Sequence, residues 1–373
     1  MKILVPLGTR PEIVKLAPVV KALEVAGHEV RTLATGQHYD ANLTDAFFDE
    51  LGIHPAIRWE LPASEAERVG AILSGAMTEV GTERPDLVLV LGDTYTVPLF
   101  SLAARRHATP LAHLEAGLRS FNETSMEETN RKVAAVSARL HLAPTELAGR
   151  FLEREGVDPA RIRVVGNPVI DVLVAKGITA RPVAERHGVL VTAHRPTNVD
   201  DPVRLGTLVE IVLHLAATVG PVSFPVHPRT RSRLIAAGLL GRLEVEGVTL
   251  LEPVPYEHML ELLSTSKLVV TDSGGLQEES AYLGVPTIVL RRSTPRWEGI
   301  ELGMAALSGV DLDRVRDLAT RFADPAEQAR IAAIPCPYGQ GDTAAKVVAV
   351  LAEDAMEELL AITEPDLTSW MPS

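Results

Sequence analysis

The feature that most constrains this chain is a rhythm of short, largely apolar runs separated by longer amphipathic stretches. The runs include residues 3–7, 30–34, 87–91, 110–114 and 162–165, then 189–192, 222–226, 268–271 and 287–290. Continuous rather than alternating hydrophobicity suits strands buried on both faces, as in a parallel sheet. The segments between them carry helix signatures. Residues 11–25 open on Pro11, a residue tolerated in the first helical turn, and residues 203–217 repeat the pattern. Strand, helix and strand recurring this often predict an α/β chain of doubly wound parallel sheets.

The rhythm loosens over residues 166–186 and restarts at Val189. A chain of 373 residues is also long enough for two domains. The expected organisation is therefore two Rossmann-like doubly wound domains, residues 1–167 and 168–345, facing across a cleft lined by the carboxyl ends of their strands. An acidic helix over 343–362 follows the last strand signal. It heads a terminal segment, 346–373, that is expected to pack back on the first domain.

Composition removes several functions. The chain has 36 basic and 49 acidic residues, a net charge of −13, and no Lys or Arg tract. Nucleic acid and anionic membrane surfaces are therefore not expected partners. Cys336 is the single cysteine, which excludes a disulfide framework and a cysteine metal cluster. No apolar run approaches the length of a membrane span, and the apolar start is too short for a signal peptide. The expected location is the cytoplasm. The basic residues comprise 29 Arg and only 7 Lys, so the surplus is guanidinium, the group best suited to phosphate and carboxylate.

Unusual residues cluster just after the strands. Gly8-Thr9-Arg10-Pro11-Glu12-Ile13-Val14-Lys15 follows the first run, with Arg10 and Lys15 at a helix start whose free N–H groups would attract an anion. It lacks the G-x-G-x-x-G of a dinucleotide site. Gly92-Asp93-Thr94 and His113-Leu114-Glu115 place carboxylates at strand ends, where they have no packing value. Glu127 and Glu128 open the following helix. Asp93 also fits helix capping, and the two glutamates also fit a solvated first turn. Converging on one crevice, these carboxylates would suit acid/base work, with mutual repulsion raising at least one pKa.

In the second half, His194-Arg195 ends a strand, and His227 repeats the device before Pro228-Arg229. Arg195 and His227 are expected to bind an anionic substrate. The strongest local signal is Thr271-Asp272-Ser273-Gly274-Gly275-Leu276-Gln277-Glu278-Glu279. Here a buried strand runs through glycines straight into a helix, which makes a diphosphate cradle by mechanism. Glu279, one turn in, is placed to accept from a ribose diol.

Together these segments resemble the non-hydrolysing UDP-N-acetylglucosamine 2-epimerases, in collinear order over nearly the whole chain. The matching motifs are G-T-R-P-E-x-x-K at 8–15, G-D-T at 92–94, H-x-E-A-G-L-R at 113–119, E-E-x-N-R at 127–131, H-R at 194–195 and D-S-G-G-x-Q-E-E at 272–279. The resemblance implies a fold of the GT-B type and interconversion of UDP-GlcNAc and UDP-ManNAc through elimination and re-addition of UDP. It implies a UDP-sugar substrate, a homodimer, and neither cofactor nor metal. It assigns Asp93, Glu115 and Glu127 to acid/base chemistry. Arg10, Lys15, His194 and Arg296 become charge stabilisers around the diphosphate, and Ser273, Gly274, Gly275 and Glu279 become UDP contacts. Which carboxylate is the base stays open, as does whether His194 is an acid or only a donor.

The chain departs from the family pattern on its loops. Ser293-Thr294-Pro295-Arg296-Trp297-Glu298 keeps Arg296 and Glu298 but flanks the arginine with Pro and Trp. The Trp297 indole is expected to cover a sugar or base face. Arg292 stands where the family carries an aspartate, Met126 replaces a proline, and Gln340 replaces an acid.

Overall fold

The structure, a computed structural model, describes residues 1–36 and 45–364. The distal part of the expected terminal segment, residues 365–373, lies outside the described residues. The chain divides into two compact units. The first comprises Met1–Leu118, Glu123–Pro168 and the chain from Asp342 onward; the second comprises Arg119–Asn122 and Val169–Gly341.

The first unit holds β1 (Lys2–Leu7), β2 (Glu29–Ala34), β3 (Ile57–Arg58), β4 (Leu87–Leu91), β5 (Leu111–Leu114), β6 (Leu140–Ala143) and β7 (Ile162–Val164). They form one sheet in the order β3-β2-β1-β4-β5-β6-β7, and every pair is parallel. The second unit holds β8 (Val189–Thr192), β9 (Val222–Pro225), β10 (Val248–Leu251), β11 (Leu268–Thr271), β12 (Thr287–Val289) and β13 (Ala305–Leu307). Their order is β10-β9-β8-β11-β12-β13, again all parallel. Two such doubly wound sheets in one chain make up the GT-B type.

The sequence runs match the central strands. Leu87–Leu91 and Leu268–Thr271 are buried at every position, as continuous hydrophobicity requires. Strands β3, β6, β10 and β13 are the ones that the apolar runs did not mark. His141 interrupts β6, Thr249 interrupts β10, and β3 is two residues long.

In each sheet the strand order reverses once, between β1 and β4 and between β8 and β11. Ligands of open α/β sheets bind at such switch points, beyond the carboxyl ends of the strands. The residues that follow those four strands are Gly8-Thr9, Gly92-Asp93, Ala193-His194 and Asp272-Ser273.

The acidic helix expected over 343–362 is two helices, Thr343–Leu351 and Met356–Leu360. The break lets Glu353 turn outward to Arg163 at 2.6 Å. Val347, Leu351, Met356 and Leu360 stay in one apolar cluster with Leu16, Val20 and Leu23 of the first helix, Arg10–Val25. The return to the first unit starts at Asp342, a few residues before the position expected. The short inclusion of Arg119–Asn122 in the second unit had no signature in the apolar pattern.

Candidate functional site

In the first unit, the helix Arg10–Val25 starts with a capping box between Thr9 and Glu12. The Glu12 carboxylate accepts from the Thr9 amide at 2.5 Å and from Thr94 Oγ1 at 2.8 Å. A Cβ on Gly8 would fall 2.3 Å from that carboxylate, so a larger residue there would displace it. At the helix start where an anion was expected, the Thr9 amide is thus taken by a carboxylate of the helix's own first turn. Arg10 is exposed at its edge, with its guanidinium 4.9 Å from the Phe47 ring centre.

Lys15 points elsewhere. Its buried Nζ lies 2.5 Å from Glu115 Oε1, which also accepts from Asn167 Nδ2 at 2.7 Å. Lys15 therefore counterbalances Glu115 instead of standing free for a diphosphate. Glu115 is 4 % exposed and sits in the left-handed region with φ 64°, directly after β5. A non-glycine residue in that conformation is a strained placement that the surroundings must hold. Its Oε2 lies 3.5 Å from where a Cβ on Gly92 would stand, next in sequence to Asp93.

Asp93 is fixed by the helix Met126–Ser137. Asn130 Nδ2 donates to its carbonyl at 2.8 Å and Arg131 Nη1 to its carboxylate. Arg131 is in turn held by Glu128, at 2.6 and 3.2 Å. His113 Nε2 lies 2.8 Å from the carbonyl of Gly92, whose φ is +80°. Glu127, half-buried in the first turn of that helix, accepts from Ser125 Oγ. Glu12 is pushed up to about 7, chiefly by burial, against hydrogen bonds from Thr94 and Thr9, with Asp93 the smallest contributor.

In the second unit, Asp272 follows β11 and has no exposed surface. It accepts from the amides of His194 at 3.1 Å and Arg195 at 2.9 Å, from Asn198 Nδ2 at 3.1 Å, and faces His194 Nδ1 at 3.0 Å. Burial alone would raise its pKa; the bonds from His194 and the two amides outweigh burial and hold it below the ordinary value. His194 is half-exposed, and the ring of His227 stands 5.6 Å away. His227 caps the helix Pro228–Ala236, its Nδ1 accepting from the Arg229 amide at 3.2 Å. Burial, then the nearby His194, lowers its pKa. Arg195 Nε donates to the Asp272 carbonyl at 3.1 Å, so part of this expected substrate contact braces the backbone.

The helix Gly275–Tyr282 starts at Ser273-Gly274-Gly275 without a side-chain cap. The glycines do not serve a left-handed turn, since Gly274 has φ −73°. Gly274 makes room for Arg296, whose guanidinium would lie 3.4 Å from a Cβ there, while nothing lies within 4 Å of one on Gly275. The Ser273 amide is donated to Thr271 Oγ1 at 2.9 Å, while the space beside Gly275 is open and a guanidinium lies next to Gly274, a combination that suits an anion at this helix start. Arg296 is buried and paired with Glu278 at 2.9 Å. Glu279, expected to reach a ribose, accepts from Tyr256 OH at 2.7 Å, and burial first, then Glu279, raises that phenol's pKa. The Trp297 indole donates to the Arg119 carbonyl at 2.8 Å and lies 6.4 Å from Phe121, so its polar edge is taken within the fold. Arg292 is exposed and has no ion pair among the described residues.

Sequence reasoning missed Glu12, Arg131, Asn167, Asp272 and Tyr256 as parts of the site. The i,i+3 spacing of Glu128 and Arg131 was a readable signal for that pair; the contacts of Asn167 and Tyr256 join segments far apart in sequence. Among the described residues, no group of three His, Cys, Asp or Glu is placed to hold a metal, and no helix is long and apolar enough to cross a membrane.

Comparison with known proteins bears on this geometry. A family model described as UDP-N-acetylglucosamine 2-epimerase matches residues 21–352. The chain is 34% identical to the UDP-N-acetylglucosamine 2-epimerase of Methanocaldococcus jannaschii, over 94% of this chain and 99% of the relative. It is 37% identical to the UDP-2,3-diacetamido-2,3-dideoxy-D-glucuronate 2-epimerase of Pseudomonas aeruginosa, over 86% and 91%. The crystal structure of the M. jannaschii enzyme in complex with UDP-GlcNAc and UDP superposes with a TM-score of 0.83 at 33% identity, covering 94% of this chain and 99% of that one.

Proposed function

The chain belongs to the UDP-N-acetylglucosamine 2-epimerase family, and from that premise we propose that it interconverts UDP-GlcNAc and UDP-ManNAc. The hydrogen on carbon 2 is not adjacent to a carbonyl, so enolisation is not open to the enzyme. Instead a carboxylate removes that proton, the bond from carbon 1 to the diphosphate oxygen breaks, and a carbon 1–carbon 2 double bond forms. UDP is the leaving group and 2-acetamidoglucal the intermediate. A proton then returns to carbon 2 from the other face, and UDP adds back at carbon 1. The sequence is redox-neutral overall, so it calls for no nicotinamide.

The observation that carries the proposal is the buried Glu115, held in strained backbone by Lys15 and Asn167 beside the Asp93 loop. Carboxylates fixed this firmly at a switch point suit proton transfer at carbon 2. Asp93, Glu115 and Glu127 supply the acid/base set in this reading. The open turn at Ser273, Gly274 and Gly275, with Arg296 behind it, holds the diphosphate. His194, Arg10, Arg195 and His227 add positive charge or donors for the leaving group. Lys15 acts through Glu115, and Glu279 meets the nucleotide with Tyr256 behind it. By resemblance to the family, the protein works as a cytoplasmic homodimer, and its net charge of −13 argues against a nucleic-acid partner.

The test is incubation with UDP-GlcNAc in heavy water, followed at carbon 2 by proton NMR. Deuterium at carbon 2 together with UDP-ManNAc is the expected result. No exchange, with UDP released only when a sugar acceptor is added, would instead make the chain a glycosyltransferase. A panel including a UDP-linked uronate tests whether the unpaired Arg292 shifts the preferred sugar.

A further inference from the structure

We propose that Asp272 is a positioning residue that fixes the ring tautomer of His194, with Nδ1 carrying a proton toward Asp272 and Nε2 left to meet the leaving diphosphate. The inference rests on the function proposed above, in which His194 serves that diphosphate.

The contacts argue for it in three steps. Asp272 is fully buried at the end of β11, and its two oxygens take the His194 amide, the Arg195 amide and Asn198 Nδ2. These bonds shape the turn after β8, so the backbone that carries His194 is built around this one carboxylate. The same carboxylate then faces His194 Nδ1 at 3.0 Å. An ionised carboxylate only accepts, so the nitrogen facing it must bear a proton. With Nδ1 committed, Nε2 is the ring atom available to a ligand. It donates when the imidazole is charged and accepts when it is neutral, which makes it competent to hand a proton to a departing phosphate oxygen and take it back.

His227 shows the contrary arrangement at close range. Its Nδ1 accepts from the Arg229 amide, so in its neutral form the proton sits on Nε2. The titratable groups set against His194 are Asp272 from the end of β11 and His227 from the start of the helix Pro228–Ala236, with Arg195 next to it in the chain and Arg229, paired with Asp200, beyond His227. Asp272 is the only acid in this set. It selects which imidazole nitrogen carries the proton, while the fold fixes His227 the other way round.

The experiment combines nitrogen-15 NMR of histidine-labelled full-length protein with kinetics. The His194 signal is assigned by its loss in His194→Gln. At a pH where the ring is neutral, His194 is expected as the Nδ1–H tautomer and His227 as the Nε2–H tautomer. Asp272→Asn keeps the size and one acceptor oxygen but puts an amide donor among these contacts. It is expected to lower kcat about 10²–10⁴-fold while KM changes less than about threefold. In a His194→Gln background the same substitution should cost no more than about threefold further, since both changes remove one function. A purely structural role would give additive losses. Additive losses, or a neutral His194 carrying its proton on Nε2, would overturn the proposal. The NMR measurement needs no variant at Asp272, so it decides even where Asp272→Asn fails to fold. If the wild type turns over no UDP-GlcNAc, the function fails, yet the tautomer result still stands or falls by itself.

Discussion

Two strand-to-helix turns in this molecule use the same materials and reach opposite states. After β1, Gly8-Thr9 leads into the helix Arg10–Val25, and Glu12 closes its start by accepting from the Thr9 amide. After β11, Ser273-Gly274 leads into the helix Gly275–Tyr282, which has no side-chain cap and faces open space at Gly275. Both have glycine, a helix start and a basic residue close by. The difference is that a carboxylate of the first helix's own first turn takes the Thr9 amide, whereas the Ser273 amide goes to Thr271 Oγ1 and the helix after it has no side-chain cap. The first turn is thereby a shelf that carries Arg10 and aims Lys15 at Glu115, whereas the second is, under the proposed function, the one that receives the anion.

In the proposed function chemistry falls to one turn and binding to the other, and that contrast can be broken. The largest effect is expected for Glu115→Gln, which leaves Lys15 without its counter-charge. Exchange at carbon 2 should fall about 10²–10⁴-fold while UDP affinity, read by calorimetry, stays within about threefold. Normal turnover would remove Glu115 from the acid/base set. Arg10→Ala should come next, losing about 2–4 kcal/mol of transition-state stabilisation, the typical cost of one oxyanion-type donor. A rise in KM alone would make Arg10 a binding group, and the first turn an anion site after all.

A third variant transplants the solution of one turn into the other. Gly275→Asp puts a carboxylate at the open helix start, where its geometry is already helical and space is free. It should weaken UDP binding about 10–100-fold by like-charge repulsion with unchanged circular dichroism. Unaltered affinity would move the diphosphate elsewhere. The smallest effect concerns Glu12. Its carboxyl is pushed from 4.5 to about 7 in the folded chain, so between those values the folded state holds more proton than the unfolded one. Unfolding free energy should therefore fall as pH rises from about 4.5 to about 7 and level off above. Glu12→Gln should flatten that slope, changing stability at pH 8 relative to pH 5 by about 1–2 kcal/mol, as measured by denaturant titration at each pH.

The sequence carried the sheets well because strands buried on both faces must be apolar throughout, and Leu87–Leu91 or Val189–Thr192 could hardly be anything else. It was silent on β6, with His141 inside it, although β5 carries His113 and lay within a marked run. The motif residues were also legible as a set, since charged residues at strand ends have little packing value. Their partners were not. Lys15 reads as a free cation until the fold brings it to Glu115, a hundred residues on. Glu279 reads as a ribose acceptor, and the sequence does not show that Tyr256 from the preceding helix braces it. The Trp297 indole reads as a sugar platform until the Arg119 carbonyl takes its N–H. In each case the residue type was readable and its commitment was not, because commitment depends on long-range contacts that no local spacing encodes.

The return of the chain from Asp342 has a consequence for how this protein is made on the ribosome. Val347, Leu351, Met356 and Leu360 fill the same core as the first helix, and Arg139 and Arg163 are tied to Leu359 and Glu353. The half that is translated first is therefore completed by residues translated after the other half. A nascent chain ending near Pro168 has its first sheet but lacks these apolar side chains, and must hold that groove until the second unit has been synthesised.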